Sequence, residues 1–217
     1  MADQEEALTI TETSASAEAA AAAKRAEFVS ATAADPGNQK LWMRFVKFEL
    51  EDGGGGGIEA ARAVYERILA AQPDKAMSAY WSWFWMERGA DDVDGQRRVL
   101  ERWVRQLPRG SGFLGSKHGW REYLEFEVHN GGVERVRAVG EGLVAAFPMD
   151  PHAYVHYVRA LAALSRHQEA FAVAERGCKE LSGWCRGHDQ FIRFFMAKYV
   201  RRLKAKRSTA WLDMLKD

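Results

Sequence analysis

Aromatic and acidic positions recur along the chain in a fixed order, and this order predicts a repeated helix. Side chains three or four positions apart share one face of an α-helix. Aromatic and apolar residues at this spacing, followed directly by a glutamate, therefore predict an amphipathic helix with an aromatic stripe. The motif occurs at Trp42, Phe45, Phe48 and Glu49, at Tyr80, Trp83, Met86 and Glu87, and at Trp120, Tyr123, Phe126 and Glu127, and it lapses after Tyr154 and Tyr157.

A second helical pattern follows each copy of the first. It consists of small and branched apolar residues around an arginine, with a Glu-Arg pair at its end in its fullest form, and it covers 61–67, 96–102, 136–142 and 170–176. Prolines follow the first three copies at positions 73, 108 and 148. Because proline disfavours helical geometry in the residue before it, each proline predicts a helix end.

Two helices in constant order predict a hairpin that cannot bury its apolar face alone. The fold is therefore predicted to be all-α, an α-solenoid of antiparallel helical hairpins in which each repeat stacks on the next. The first helix is expected to pack its aromatics against the second helix of the same repeat. The predicted segments are a disordered acidic N-terminus 1–16, a capping helix 17–34, repeats at about 38–73, 78–108, 118–148 and 151–182, and a degenerate fifth repeat with a basic C-terminal helix over 183–217.

Eight aromatic residues are predicted to form the core of the repeats. Replacement of Trp120 by alanine is expected to cost about 3–5 kcal/mol, because it would empty a core position. Trp85 and Trp103 lie off the main stripe, and each could either fill a joint between repeats or be exposed on a binding face. The predicted core residues are Trp42, Phe45, Tyr80, Trp83, Trp120, Tyr123, Tyr154 and Tyr157.

Glycines interrupt the pattern at three places. The five glycines at 53–57 predict a flexible link, and no Gly-Lys-Ser/Thr follows that would make a phosphate loop. Residues 109–118 form a Gly- and Ser-containing insertion between the second and third repeats. Gly140 and Gly142 replace better helix formers and are expected to weaken their helix by about 1 kcal/mol each.

The composition excludes several classes of protein. The chain has 217 residues and a formal net charge of +1, so its overall charge favours neither a nucleic acid nor a membrane as a partner. Two cysteines do not make a disulfide framework, which favours a reducing compartment. The sequence also lacks a secretory signal and any apolar run of about 18 residues, so we expect a soluble intracellular protein.

The paired motifs resemble the HAT (half-a-TPR) repeat of eukaryotic RNA-processing proteins. The glutamate after the aromatic stripe and the Glu-Arg pair distinguish this repeat from ordinary TPR helices. Residues 80–148 are most similar to the crooked-neck group of the family, which are scaffolds of the spliceosome. The resemblance implies a nuclear scaffold in a ribonucleoprotein complex, with pre-mRNA splicing favoured. Scaffolds of ribosomal-RNA maturation or mRNA 3′-end processing, and a TPR-like adaptor unrelated to RNA, remain as alternatives.

The recurrent glutamates are interpreted as structural. One active site does not need three copies of a carboxylate at the same repeat position, so Glu49, Glu87 and Glu127 are expected to pair with arginines such as Arg62 or Arg97. No nucleophile, nucleotide-binding or zinc motif is present, and the spacing of Cys178, Cys185 and His188 fits no zinc module. We therefore expect no enzyme activity, cofactor, metal or small-molecule substrate.

Two basic stretches are candidate contact surfaces. They could bind the RNA backbone or, more plausibly, acidic segments of partner proteins within a ribonucleoprotein complex. Aromatic residues do not alternate with these bases as they would in a base-stacking platform. An RNA-binding module that uses the basic helices remains an alternative function. The candidate contact residues are Arg97, Arg98, Arg105 and Arg109, and Arg201, Arg202 and Lys204.

Overall fold

The computed structural model describes residues 2–51, 56–106 and 112–181, without the side chains of 2–14, 112–116 and Cys178. Within these ranges the chain forms nine α-helices and one 3-10 turn, which confirms the all-α prediction. The chain divides into two compact units, Met1–Asp92 and Val93–Asp217. The predicted second repeat, 78–108, is thus shared between the two units.

The first unit contains four helices, each packed on the one before it. They are α1 (Ala2–Ala34), α2 (Gln39–Leu50), α3 (Gly57–Ala71) and α4 (Ala76–Gly89), with the 3-10 turn Pro73–Lys75 before α4. Asn38 caps the start of α2, and its side chain accepts a hydrogen bond from the Leu41 amide at 3.2 Å. This bond satisfies one of the free amides at the helix start.

The second unit contains five helices, again packed in chain order, and α6 also contacts α8. They are α5 (Val93–Gln106), α6 (Gly112–Asn130), α7 (Gly132–Ala146), α8 (Pro151–Ala163) and α9 (His167–Glu180). Asp150 caps α8 by accepting from the His152 amide at 3.1 Å, and proline occupies the first helical position. Helices α3 and α7 end before Pro73 and Pro148, as the sequence predicts; Pro108 lies outside the described residues.

The helices of the structure differ from two of the predicted boundaries. Residues 2–16 are helical and belong to α1, where the sequence analysis expected disorder. No glycine or proline occurs before Pro36, so nothing in the local sequence stops the alanine-rich helix from extending toward the N-terminus. Helix α6 begins at Gly112, so most of the predicted insertion 109–118 is also helical.

The aromatic stripe packs in two directions, which corrects the expectation of contacts within one repeat alone. The fourth-position aromatics face the helix that precedes their own. Phe45 stacks on Phe28 of α1 with ring centroids 5.1 Å apart, and Trp83 stacks on Tyr65 of α3 at 5.5 Å, both with ring planes 5° apart. The first-position residue Tyr154 instead donates its hydroxyl to Glu180 of α9, in its own repeat. Three residues turn a helix by about 300°, so side chains at the two positions diverge by about 60°.

Seven of the eight predicted core aromatics are buried, and Trp120 is the exception. The Trp120 side chain is half-buried against α7, where a β-carbon on Gly142 would lie 2.6 Å from the ring. Part of the ring is already exposed to solvent, so its removal is expected to cost less than the 3–5 kcal/mol of a fully buried tryptophan.

The off-stripe tryptophans have opposite environments. Trp103 is fully buried at the joint between α5 and α6, where its ring lies edge-on to His118 at 5.7 Å. Trp85 is 46% exposed, and the Arg88 guanidinium lies 4.8 Å from its ring centroid. Trp103 thus fills a joint between repeats, which is one of the two predicted outcomes, whereas Trp85 is exposed.

Candidate functional site

The recurrent glutamates are buried and each is bound by an arginine from the preceding helix. Glu49, Glu87 and Glu127 are at most 1% exposed. Arg62 of α3 binds Glu87 of α4 through two bonds of 2.8 and 2.6 Å. Arg97 of α5 binds Glu127 of α6 at 2.7 Å. The predicted pairing of Glu87 and Glu127 with Arg62 and Arg97 is therefore present in the structure.

Helix α1 supplies an arginine in the same way. Arg25 binds Glu49 through bonds of 2.7 and 2.9 Å, with the geometry that Arg62 has toward Glu87. Phe28 follows Arg25 by three residues, as Tyr65 follows Arg62, and each ring stacks on the next helix. Relative to α2, helix α1 therefore occupies the position that α3 occupies relative to α4. The Arg-x-x-Phe signal in the sequence could have revealed this, but the alanine-rich surroundings hid it.

Backbone and side-chain donors complete the carboxylate sites. The Gly56 amide donates to Glu49 at 2.9 Å, so the end of the glycine loop takes part in the repeat. The indole nitrogen of Trp83 donates to Glu87 at 2.8 Å. A β-carbon on Gly131 would overlap the Glu127 carboxylate, so this turn requires glycine. With these donors in place, few lone pairs of the buried carboxylates remain unpaired.

The ion pairs shift the pKa values of Glu49, Arg62 and Arg97, and the neighbouring Tyr65 is shifted as well. Burial by itself raises the pKa of Glu49, but the bonds from Arg25 and the Gly56 amide outweigh it, so the pKa of Glu49 is lowered. The hydrogen bond to Glu87 raises the pKa of Arg62, and the bond to Glu127 raises that of Arg97. Burial raises the pKa of Tyr65 to about 12, and the Glu87 charge adds to this effect. All of these groups keep their usual neutral-pH charge states, which fits a structural role.

Three of the candidate contact residues, Arg97, Arg98 and Arg105, lie within the described ranges, and they differ in their availability to a partner. The Arg97 side chain is only 13% exposed and is bound to Glu127 and Asp94, so it is not available to a partner. Arg98 is exposed, and Arg105 is 75% exposed with a long 3.4 Å pair to Glu101. Arg109, Arg201, Arg202 and Lys204 lie outside the described residues. Of the described residues in the first stretch, Arg98 and Arg105 remain as candidate contacts, and Arg109 stays a prediction.

A groove that the sequence analysis missed lies between α6 and α8. It has a volume of about 390 Å³ and combines an apolar floor with cationic side chains. Sequence periodicity could not find it, because it depends on the spacing of two helices from different repeats. Its lining residues are Arg121, Leu124, Glu125, Val128, His129, His156, Arg159, Ala160 and Ala163.

The described residues offer no sign of a metal centre or a membrane span. No group of three or more His, Cys, Asp or Glu side chains among them is placed to hold a metal ion. No helix within the same ranges is long and apolar enough to cross a membrane. Cys185 and His188 of the candidate metal cluster lie outside those ranges.

Comparison with known proteins gives one relevant similarity. No family model matches the chain. Over 136 residues the chain is 24% identical to the pre-mRNA-splicing factor CLF1 of Paracoccidioides brasiliensis. The alignment covers 58% of this chain and 19% of the splicing factor. The chain therefore spans about one fifth of the length of this curated relative.

Proposed function

We propose that this protein is a non-catalytic scaffold in a nuclear RNA-processing complex, with pre-mRNA splicing as its process. It would act as an α-solenoid of HAT-type repeats whose curved surface holds partner proteins in fixed positions. The surface would bind helices or extended segments of these partners. No chemical step is assigned to the protein.

The observation that carries the proposal is the repetition of one ion pair. Arg25–Glu49, Arg62–Glu87 and Arg97–Glu127 each join the second helix of a repeat to the first helix of the next. The three glutamates are the most regular polar feature of the chain, and these ion pairs occupy them. We therefore assign them a structural role and not a catalytic one. Similarity to a protein named as a pre-mRNA-splicing factor supports splicing as the process.

Affinity purification of the tagged full chain from nuclear extract tests this proposal. We expect co-purification of spliceosomal proteins that withstands treatment with ribonuclease. A Glu87→Ala/Glu127→Ala variant, whose repeats lack two buried carboxylates, serves as a control that should lose these partners. Enrichment of ribosomal-RNA maturation or 3′-end processing factors in their place would reassign the process. Loss of all partners on ribonuclease treatment would favour an RNA-binding module.

A further inference from the structure

The groove between α6 and α8 has the chemistry of a binding site. Leu124 and Val128 of α6 face Ala163 of α8 across it. Pockets that bind ligands are typically about 300–1,000 Å³ and combine apolar walls with a few polar groups. At about 390 Å³ this groove can accept one or two apolar side chains of a partner segment.

Positive charge concentrates at the groove. Arg121 and Arg159 line it from the two helices, and both lie near His156. Burial lowers the pKa of His156, and the charges of Arg121, Arg159 and His152 lower it further, while Asp150 acts in the opposite direction. Two guanidinium groups thus place positive charge beside the imidazole.

Arg159 is the cation most available to a partner. It is exposed and has no ion pair or hydrogen bond within the described part of the chain. Arg121 is exposed as well, although its guanidinium also pairs with Glu122 at 2.6 Å. Glu125, the single carboxylate among the lining residues, is exposed and can accept a backbone amide of a bound segment.

The composition of the groove favours a peptide over a nucleic acid. Binding of single-stranded RNA depends on aromatic side chains on which the bases stack. No aromatic side chain other than the two histidines lines this groove, and its floor is aliphatic. Leucine-like side chains fit an aliphatic floor, and carboxylates complement the two arginines.

We propose that the groove between α6 and α8 docks an acidic segment of a partner protein, with an apolar side chain on the floor and carboxylates at Arg121 and Arg159. This inference deepens the proposed scaffold function and rests on it. It assigns the scaffold a specific surface within the third and fourth repeats.

Selection from a random-peptide phage library on the purified full chain tests the assignment. Selected peptides are expected to combine Asp or Glu with Leu, Ile or Val. Their affinity, measured by fluorescence anisotropy, should fall about tenfold or more in Arg159→Glu, which reverses the most available charge. Affinity should also fall as salt is raised, because the charges are exposed.

Two further variants test whether the loss of affinity in Arg159→Glu is specific to the groove. Arg44→Glu reverses an exposed arginine of α2 that makes no ion pair among the described residues, and it should leave the affinity within about twofold. Ala163→Trp fills the groove without changing its charge and should abolish binding. Circular dichroism of all variants checks that the fold is retained.

Several outcomes would overturn the proposal. Selected peptides without acidic residues, or equal loss of affinity in Arg44→Glu and Arg159→Glu, would remove the groove as their site. Tighter binding of polyuridine RNA, lost in Arg159→Glu, would assign the groove to RNA. If Arg159→Glu still recovered spliceosomal proteins from nuclear extract undiminished, the scaffold function would stand and the groove would not.

Discussion

The third and fourth repeats solve the same packing problem in different ways. In α6, Glu127 is fully buried and is bound by Arg97 of the preceding helix. In α8, the same repeat position is Leu161, which is also fully buried. Arg137 of α7, the counterpart of Arg97, binds Glu169 of α9 instead, at 2.6 and 2.8 Å. The helices pack with or without the buried carboxylate, so the ion pair is not required for burial.

The difference separates two properties of a buried ion pair. Removing two charges from water is costly, and apolar residues of similar size often stabilise a protein equally well or better. A charge left without its partner is the unfavourable case. The repeats therefore need matched positions, either arginine with glutamate or an apolar residue with an arginine that is bound elsewhere.

The largest expected effect comes from breaking one pair. Glu127→Ala leaves Arg97 without its main partner and should lower the free energy of unfolding by about 3 kcal/mol. Asp94 still binds Arg97 at 2.7 Å, so the loss is expected at the lower end of the range that is typical for breaking a buried ion pair. Urea denaturation followed by circular dichroism measures it. The control is Glu125→Ala, which removes an exposed carboxylate of the same helix. Equal losses in the two variants would contradict a special role for Glu127.

A second difference between the repeats is steric. Gly140 of α7 takes the position held by Tyr65 and Leu100 in earlier repeats, and a β-carbon there would overlap the buried ring of Tyr157. Gly140→Ala should therefore destabilise the protein by about 2 kcal/mol through overpacking, although alanine is the better helix former. Gly89→Ala, where a β-carbon would meet nothing within 4 Å, is the control and should be neutral or slightly stabilising. A gain of stability in Gly140→Ala would show that the close approach does not matter.

Replacing both members of a pair should cost much less than removing one. In Arg97→Met/Glu127→Leu, the third repeat acquires the leucine that the fourth repeat already has. We expect a free energy of unfolding within about 1 kcal/mol of the unmodified protein. The same urea titration compares it with Glu127→Ala. A double variant as unstable as the single one would mean that the pair contributes more than the satisfaction of two charges.

The smallest effect is expected for the Arg137–Glu169 pair, because ion pairs that remain accessible to water contribute little to stability. The hydrogen bond from Arg137 lowers the pKa of Glu169 to about 2, and Arg166 contributes to the shift. This stabilisation is present above the unfolded-state pKa of about 4.3 and is lost as the pH falls through 2. The melting temperature of Glu169→Gln should therefore differ from that of the unmodified protein at pH 5, and this difference should become smaller as the pH falls to about 2. Thermal unfolding at each pH measures it. Glu175→Gln, which removes an exposed carboxylate of the same helix, is the control.

The sequence predicted those contacts that recur in a constant register. Three glutamates and the matching arginines stand at the same repeat positions, so the pairs of Glu87 and Glu127 could be anticipated. The partner of Arg137 could not, because Glu169 has no counterpart at that position in other repeats. The groove between α6 and α8 depends on the distance between two helices, which no single-helix pattern contains.

Helix propensity does not explain a residue that is required by contact with a neighbouring helix. Gly140 and Gly142 look unfavourable within α7, yet each gives room to an aromatic ring of a neighbouring helix, Tyr157 or Trp120. Helix propensity describes an isolated helix and omits such contacts. The prediction for 1–16 differed in the opposite sense. It gave more weight to the acidic and Ser/Thr-rich composition of this segment than to its lack of helix breakers, whereas α1 extends to Ala2.

The close approach of Gly140 to Tyr157 has a consequence for the evolution of the repeat. A larger residue at position 140 can be accepted only if the ring at position 157 becomes smaller or moves. The two sites, 17 residues apart, therefore behave as one inherited trait. Among related chains, we expect the side chain at position 140 to be larger where the side chain at position 157 is smaller, and the reverse. Either position considered alone would show no such constraint.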